Sequence, residues 1–407
     1  MTDVHPHTNA PAQTITIIGA KIFDGDRIRD DADEIIIQNG LITAIGTDLE
    51  RIGTVVDAGG SLVAPGLIDA HFHAYGTSID VLQIEATPLS YMSLAGADRL
   101  RKALGRGFTT VRDVAGGEAG LASAIEAGLT AAPRYLYTGP ALSQTGGHGD
   151  PRHGHLDHCT AHTHMGEIVD GPDRIRQVVR ERFRTGAHAI KIMTSGGVVS
   201  PTDPINIVQY QADEVLAATT EAARRGSYVA AHAYPPAAIV HAVVNGVRTI
   251  EHGNLLDEAA AAVMAEHGAF LIPTLAAYDA MNRRGAGIGM TQVAQAKNRE
   301  VLDSGKRAIE IARAAGVRVG FGSDLMGELE DDQLVGLRLH IDVDGVEETL
   351  RSATSVNADA MMRPDLGRIR IGCVGDIIIF DGDALADPSA VWDETRPRTV
   401  IQAGVVK

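Results

Sequence analysis

Eight short apolar runs recur through the middle of this 407-residue chain: "LIDAHFHA", "FTTVRDVA", "RYLYTGP", "AIKIMTS", "YVAAHAY", "TIEHGN", "AFLIPTL" and "VRVGFGSD". Each reads as a strand. Helix-like segments lie between them, among them "DRIRQVVRERFRTGA", "ADEVLAATTEAARRG", "PPAAIVHAVVNG" and "DEAAAAVMAEHG". Several end in Gly, the common residue just past a helix C-terminus. Eight strands alternating with helices predict an α/β fold, a (β/α)8 TIM barrel over residues 67–366. An open doubly wound sheet would need a Gly-rich phosphate loop after the first strand, and "DAHFHAYG" is not one.

The flanks have a different texture. Residues 14–66 carry the β-like runs "TITIIGAKIF", "DEIIIQNGLITAIG" and "TVVDAGGSLVAP", punctuated by Gly, Asn and Asp. Residues 367–407 repeat that character in "VGDIIIFDGD" and "TRPRTVIQAGVVK". The simplest arrangement pairs both ends into one small β-sandwich, with residues 1–13 as a floppy tail. A net charge of −16, from 36 basic and 52 acidic residues, argues against a nucleic-acid or anionic-membrane partner. Only Cys159 and Cys373 are present, so a disulfide framework is not expected and a reducing compartment is. The first residues lack a signal-peptide pattern, and no run of about 18 apolar residues occurs. The expectation is a soluble cytoplasmic protein that works as a homo-oligomer on a small-molecule substrate.

Chemistry in such a barrel sits at the C-terminal ends of the strands. His71 and His73 straddle Phe72 in the first run and point the same way if it is a strand. Two imidazoles on one face repel when charged and are comfortable when neutral and sharing a cation. Lys191 lies between Ile190 and Ile192 in the fourth run. A buried, unpaired ammonium is costly and its pKa falls; a neutral amine there can take up carbon dioxide and become a carbamate able to bridge two cations. The alternative is a snorkelling lysine. His232 and His252 follow in runs five and six, and Asp324 ends run eight. Singly, the histidines read as core residues and Asp324 as a helix cap. Together, six candidate ligands without a thiolate suit zinc, with manganese, cobalt or iron as alternatives.

On these residues, and on "TGGHGDPR", "IKIMTSGGVVSPTDP", "AAHAYP", "IEHGN", "PTLAAYDAM" and "FGSDLMGE", the chain resembles the amidohydrolase superfamily. Within it, the chain is similar to the branch of Xaa-Pro dipeptidases, ochratoxin-type amidases and some aryl-urea hydrolases. The resemblance implies two divalent metal ions. His71, His73 and Asp324 would serve the more buried ion and His232 and His252 the second, with carboxylated Lys191 bridging them. It implies hydrolysis of an amide bond by a metal-bridging hydroxide. Asp324 would move the proton to the leaving nitrogen, and His148 or Tyr234 would help hold the oxyanion.

His148, in "TGGHGD", is expected to touch substrate or oxyanion. Tyr234 is expected to bond a substrate carboxylate, the alternative being a rim aromatic. The remaining histidines after the third run, His153, His155, His158, His162 and His164, fit no standard zinc spacing and read as a solvated loop. Two prolines after Tyr234 are expected to open the fifth helix. Urea, carbamate or imidazolone-type cyclic-amide hydrolysis remain alternatives, the last disfavoured by Lys191, as does a non-enzymatic metal scaffold.

Overall fold

The computed structural model describes residues 14–152, 164–200 and 203–407. The tail 1–13, Cys159 and the histidines 153, 155, 158 and 162 lie outside the described residues. In the middle of the chain, Leu67–Phe72, Phe108–Asp113 and Arg134–Tyr137 form a parallel three-stranded sheet. The strands Ile190–Met193, Val229–Ala233, Thr249–His252, Phe270–Ile272 and Arg318–Val319 follow, each parallel to the next.

Two seams close these strands into the barrel. At the first, the third run ends at Gly139–Pro140, and a short strand just after it, Ala141–Ser143, pairs Leu142 with Ile192. The His188 N–H also donates to the Tyr137 carbonyl at 2.7 Å. At the second, the Ala70 N–H donates to the Phe321 carbonyl at 3.0 Å and the Asp324 N–H to the His71 carbonyl at 2.8 Å. The eighth run is therefore regular strand only over its first residues, yet it stays hydrogen-bonded to the first strand as far as Asp324.

Helices Pro172–Arg184, Ala212–Arg224, Pro236–Val244 and Glu258–Glu266 occupy the expected intervals. Each is followed by a glycine, Gly186, Gly226, Gly246 or Gly268, with φ between 64° and 92°, a region where a Cβ would be strained. Pro235 and Pro236 open the fifth helix as expected. The inward faces of these helices pack Val178, Val215, Ile239 and Met264 against Ile190, Ala231, Ile250 and Leu271 of the strands.

The ends of the chain pair into two sheets. The runs "TITIIGAKIF" and "TVVDAGGSLVAP" each cross from one sheet to the other. Thr14–Ile18 and Thr54–Asp57 lie in a four-stranded sheet, and Lys21–Ile22 and Leu62–Pro65 in a five-stranded one. The break comes at Gly19 and at Gly59–Gly60, all with positive φ, which lets the backbone turn between layers. Ile377–Ile379 runs antiparallel to Leu62–Pro65, so the carboxyl end supplies the middle of the second sheet. Ile15, Ile17, Ile35, Ile37, Ile377 and Ile401 fill the space between the sheets.

Candidate metal centre and active site

Every site residue singled out in the sequence, within the described part of the chain, lines one cavity of about 450 Å³ at the C-terminal end of the barrel: His71, His73, His148, Lys191, His232, Tyr234, His252 and Asp324. Five imidazoles form a continuous row. From His73 to His71, His252, His232 and His148, successive ring centroids are 5.2, 4.8, 4.6 and 4.2 Å apart. Such a row cannot be charged together. Burial, and for His232 the neighbouring His148, His252 and Lys191, hold His148, His232 and His252 below the usual imidazole range. Neutral imidazole is the form a metal requires.

Three of these rings have one nitrogen fixed from behind. His71 Nδ1 meets Glu251 Oε2 at 2.7 Å, His252 Nδ1 meets Thr274 Oγ1 at 2.8 Å, and His232 Nε2 donates to the Gly196 carbonyl at 3.0 Å. The opposite nitrogen of each ring is left for the centre, the arrangement by which outer residues orient metal-binding histidines. Asp324 faces the row from the eighth strand: Oδ1 is 2.9 Å from His73 Nε2 and 3.4 Å from His71 Nε2, and Oδ2 is 3.6 Å from His252 Nδ1. Burial alone would raise its carboxyl, but the histidines hold it well below the usual carboxylate range. It caps no helix. His71, His73 and Asp324 bring their ligand atoms within 4.8 Å of one another, a group that can hold a divalent cation.

His252 and Asp324 sit at φ 73° and 55°. Left-handed backbone is uncommon for residues with a Cβ and costs on the order of 1–3 kcal/mol each. The cost is borne where the strands end, and it turns both side chains across the barrel mouth.

Lys191 stands in the strand Ile190–Met193. Its side chain is 2% exposed and its Nζ has no hydrogen-bond partner among the described residues. Burial pushes the amine down to about 8, against the pull of Glu251 and Asp324. His148 reaches the row from the segment after the third strand: its ring stacks on His232, and its Nδ1 meets Ser200 Oγ at 3.0 Å. Tyr234 is no rim aromatic: it is buried, its ring is 4.8 Å from that of His232, and its hydroxyl pairs with that of Tyr278 at 2.8 Å. Val198, Met281, Ile288, Met290 and Leu329 make the facing wall apolar.

The residues that support the row were not singled out in the sequence. Arg112 is fully buried, donates to both oxygens of Glu251 at 2.8 and 2.9 Å, and reaches the Ala70 carbonyl at 2.6 Å. Asp69 Oδ1 accepts from the His71 and Ser323 N–H groups and so ties the first strand to the eighth. Arg99 donates to the carbonyls of His73, Leu325 and Gly327. Asp69, Arg112 and Glu251 had a signal: each is a charge inside an apolar run, where only a barrel interior could pair it. Arg99, on the helix Leu89–Gly105, had none.

Known proteins share this architecture. Residues 62–407 match the model of the amidohydrolase family. Ochratoxinase of Aspergillus niger is 29% identical over 419 aligned positions, 96% of this chain and 86% of that protein. A prolidase crystallised with N-methylphosphonate-L-proline superposes with a TM-score of 0.93 at 40% identity, covering 97% of this chain and 99% of that one. A Xaa-Pro dipeptidase with methionine bound in its active site gives 0.83 at 26% identity, over 97% and 100% of the two chains. With its barrel, its imidazole row and its carboxylate at the mouth, this chain belongs to the amidohydrolase family and is a hydrolase of carbon–nitrogen bonds.

Proposed function

We propose that the chain hydrolyses the amide bond of a small substrate bearing a free carboxylate, an N-acyl amino acid or an Xaa-Pro dipeptide, at a binuclear centre held by His71, His73, Lys191, His232, His252 and Asp324. The observation that carries the reading is the Lys191 amine, buried without a partner in the wall of the cavity that also holds five histidines and Asp324. A structural lysine would have an acceptor there. A carbamate on Nζ turns an unfavourable buried cation into an anionic ligand long enough to bridge. Two divalent cations, zinc or in its place manganese, cobalt or iron, would supply a hydroxide at neutral pH and polarise the scissile carbonyl.

The chain's own groups do the rest. Asp324, anionic and bonded through Oδ1 to His73, takes up a proton at Oδ2 and returns it to the leaving nitrogen. His148, with Nδ1 occupied by Ser200, turns Nε2 to the developing oxyanion. The Tyr234 hydroxyl, steadied by Tyr278, bonds the substrate carboxylate, and the apolar wall takes the acyl side chain. Ochratoxinase and the prolidase structures are the relatives that support this substrate class.

The test is a substrate series on metal-reconstituted protein. Xaa-Pro dipeptides or N-acyl amino acids should turn over, and esterifying their carboxylate should raise KM or abolish turnover. Equal rates on neutral anilides and ureas would refute the reading in favour of urea hydrolysis.

A further inference from the structure

The segment after the Lys191 strand touches two of the imidazoles at once. The Gly196 carbonyl accepts from His232 Nε2 at 3.0 Å. One residue on, Gly197 lies so close to His148 that a Cβ there would be 1.9 Å from its Cε1. Ser200 then meets His148 Nδ1, while Val198 and Val199 form part of the cavity wall. Backbone alone holds little of this segment in place: the Gly196 N–H donates to the Ile207 carbonyl at 3.2 Å and the Gln209 N–H to the Thr194 carbonyl at 2.9 Å. From within the segment, Asp203 Oδ2 accepts from the Gly197 N–H at 3.0 Å. From outside, besides the two imidazoles, Gln209 Nε2 donates to Asp203 Oδ2 at 3.2 Å, and a second side chain takes hold of the main chain. Lys297, on the long helix Gln292–Ala314, directs Nζ to the carbonyls of Gly197, Ser200 and Asp203 at 3.0, 3.3 and 2.8 Å.

That geometry is unusual for a lysine. All three ammonium donors go to main-chain acceptors of one segment, and among the described residues no ion pair is formed by Lys297. A lysine serving solubility would turn to solvent, and one serving stability would pair with a carboxylate on its own helix. Three donors converging on three carbonyls fix the path of the segment and hence the places of Gly196 and Gly197. Gly196 sets which nitrogen of His232 faces the centre. Gly197 sets how near His148 can lie to His232.

We propose that Lys297 is a positioning residue for the reaction: from outside the barrel mouth it clamps residues 196–200 and Asp203 so that His232 and His148 are held in register with each other. The kinetic half of this proposal rests on the function proposed above. The structural half does not, and the experiment separates them.

Lys297→Met keeps the stem and removes the donors; Lys297→Arg returns several donors at nearly the same reach. Hydrogen–deuterium exchange of the isolated proteins reads the clamp without any substrate. In Lys297→Met, exchange should rise in peptides covering 194–209 and stay unchanged in the barrel strands. kcat should fall by about 10- to 100-fold, the scale of a displacement of roughly 1 Å at a reacting group. KM should move less, because the groups displaced face the scissile bond. Lys297→Arg should restore most of both. Unchanged exchange at 194–209 overturns the clamp, and so does a rise spread across the whole barrel, which would make Lys297 an ordinary stabilising residue. Local exchange with native kcat overturns the catalytic half alone. If wild-type protein fails on every amide in the series, the proposed substrate class falls while the exchange result still stands or fails on its own.

Discussion

Glu251→Gln is the sharpest single probe of the site, because one carboxylate carries four hydrogen bonds with no exposure. Its oxygens accept from Arg112 Nη2 at 2.8 and 2.9 Å, from Thr249 Oγ1 at 2.5 Å and from His71 Nδ1 at 2.7 Å. Burial would raise this carboxyl, but the Arg112 guanidinium and then His71 hold it well below the usual carboxylate range. A glutamine has the same shape but turns an NH₂ toward either Arg112 or the His71 N–H, so a donor faces a donor in both orientations. It also leaves Arg112 charged and buried without its partner, a loss of about 3–5 kcal/mol. A second effect is independent of stability. His71 loses the anionic acceptor that fixes its tautomer, and outer partners of that kind are worth about 10- to 100-fold in metal affinity. The assay is a pair of measurements on one preparation: denaturant midpoints, since a chain of this size need not unfold in two states, and zinc affinity by competition with a chelator. The double variant Arg112→Met, Glu251→Met should recover much of the midpoint, because replacing both buried partners by apolar groups is near neutral, and should leave the affinity low. Wild-type zinc affinity in Glu251→Gln, or a double variant no more stable than the single, would refute this reasoning.

Three further outcomes follow from the same geometry. Lys191→Ala should lose most bound metal and activity, and acetate or bicarbonate should restore part of the metal; full metal content in the variant removes the bridging role. Gly197→Ala places a Cβ 2.0 Å from His148 Nδ1, so His148 must leave its seat on His232; kcat should fall by about 10²-fold with metal content unchanged, and native kcat would free His148 of any part in turnover. Neither ring nitrogen of buried His340 has a partner among the described residues, and burial, aided by Arg313, pushes it down to about 3. Below the ordinary value near 6.5 the unfolded chain takes up a proton that the folded one refuses, so its contribution is complete above that value. It falls as pH drops toward 3, by ~2 kcal/mol at pH 5. His340→Leu should flatten that part of the stability–pH curve, and an identical acid limb in both proteins would contradict it.

The barrel was legible because its signals are local. Short apolar runs recur eight times, several of the helices between them stop at a glycine, and the ligand-bearing residues stand at the ends of the runs. What the sequence left open was decided by contacts between distant segments. Arg112 and Glu251 are 139 positions apart, and nothing in either run says that the two charges meet inside the barrel. Tyr234 stands two residues after His232 and its ring meets that of His232, but its pairing with Tyr278 depends on a helix from a different strand–helix unit. Which end run belongs to which sheet was left open for a related reason. Alternation identifies a strand but does not say which of two stacked sheets receives it, and Gly19 and Gly59–Gly60 change sheets in mid-run.

The interleaving of the two ends bears on the order in which the molecule can form. Thr14–Ile18, Glu34–Gln38 and Leu41–Gly46 are close in sequence and pair among themselves. They can assemble soon after they leave the ribosome. Leu62–Pro65 cannot be flanked on both sides until Ile377–Ile379 arrives, about 300 residues later. At a synthesis rate of about 5–20 residues per second that is roughly 15–60 s. For that interval one side of an apolar strand, Leu-Val-Ala-Pro, waits as an open edge, the kind of surface that recruits other chains. The contacts that finally cover it span most of the sequence and form slowly. The sandwich is thus a latch closed last, and the growing chain is most exposed to misassembly while the barrel beside it is still being made.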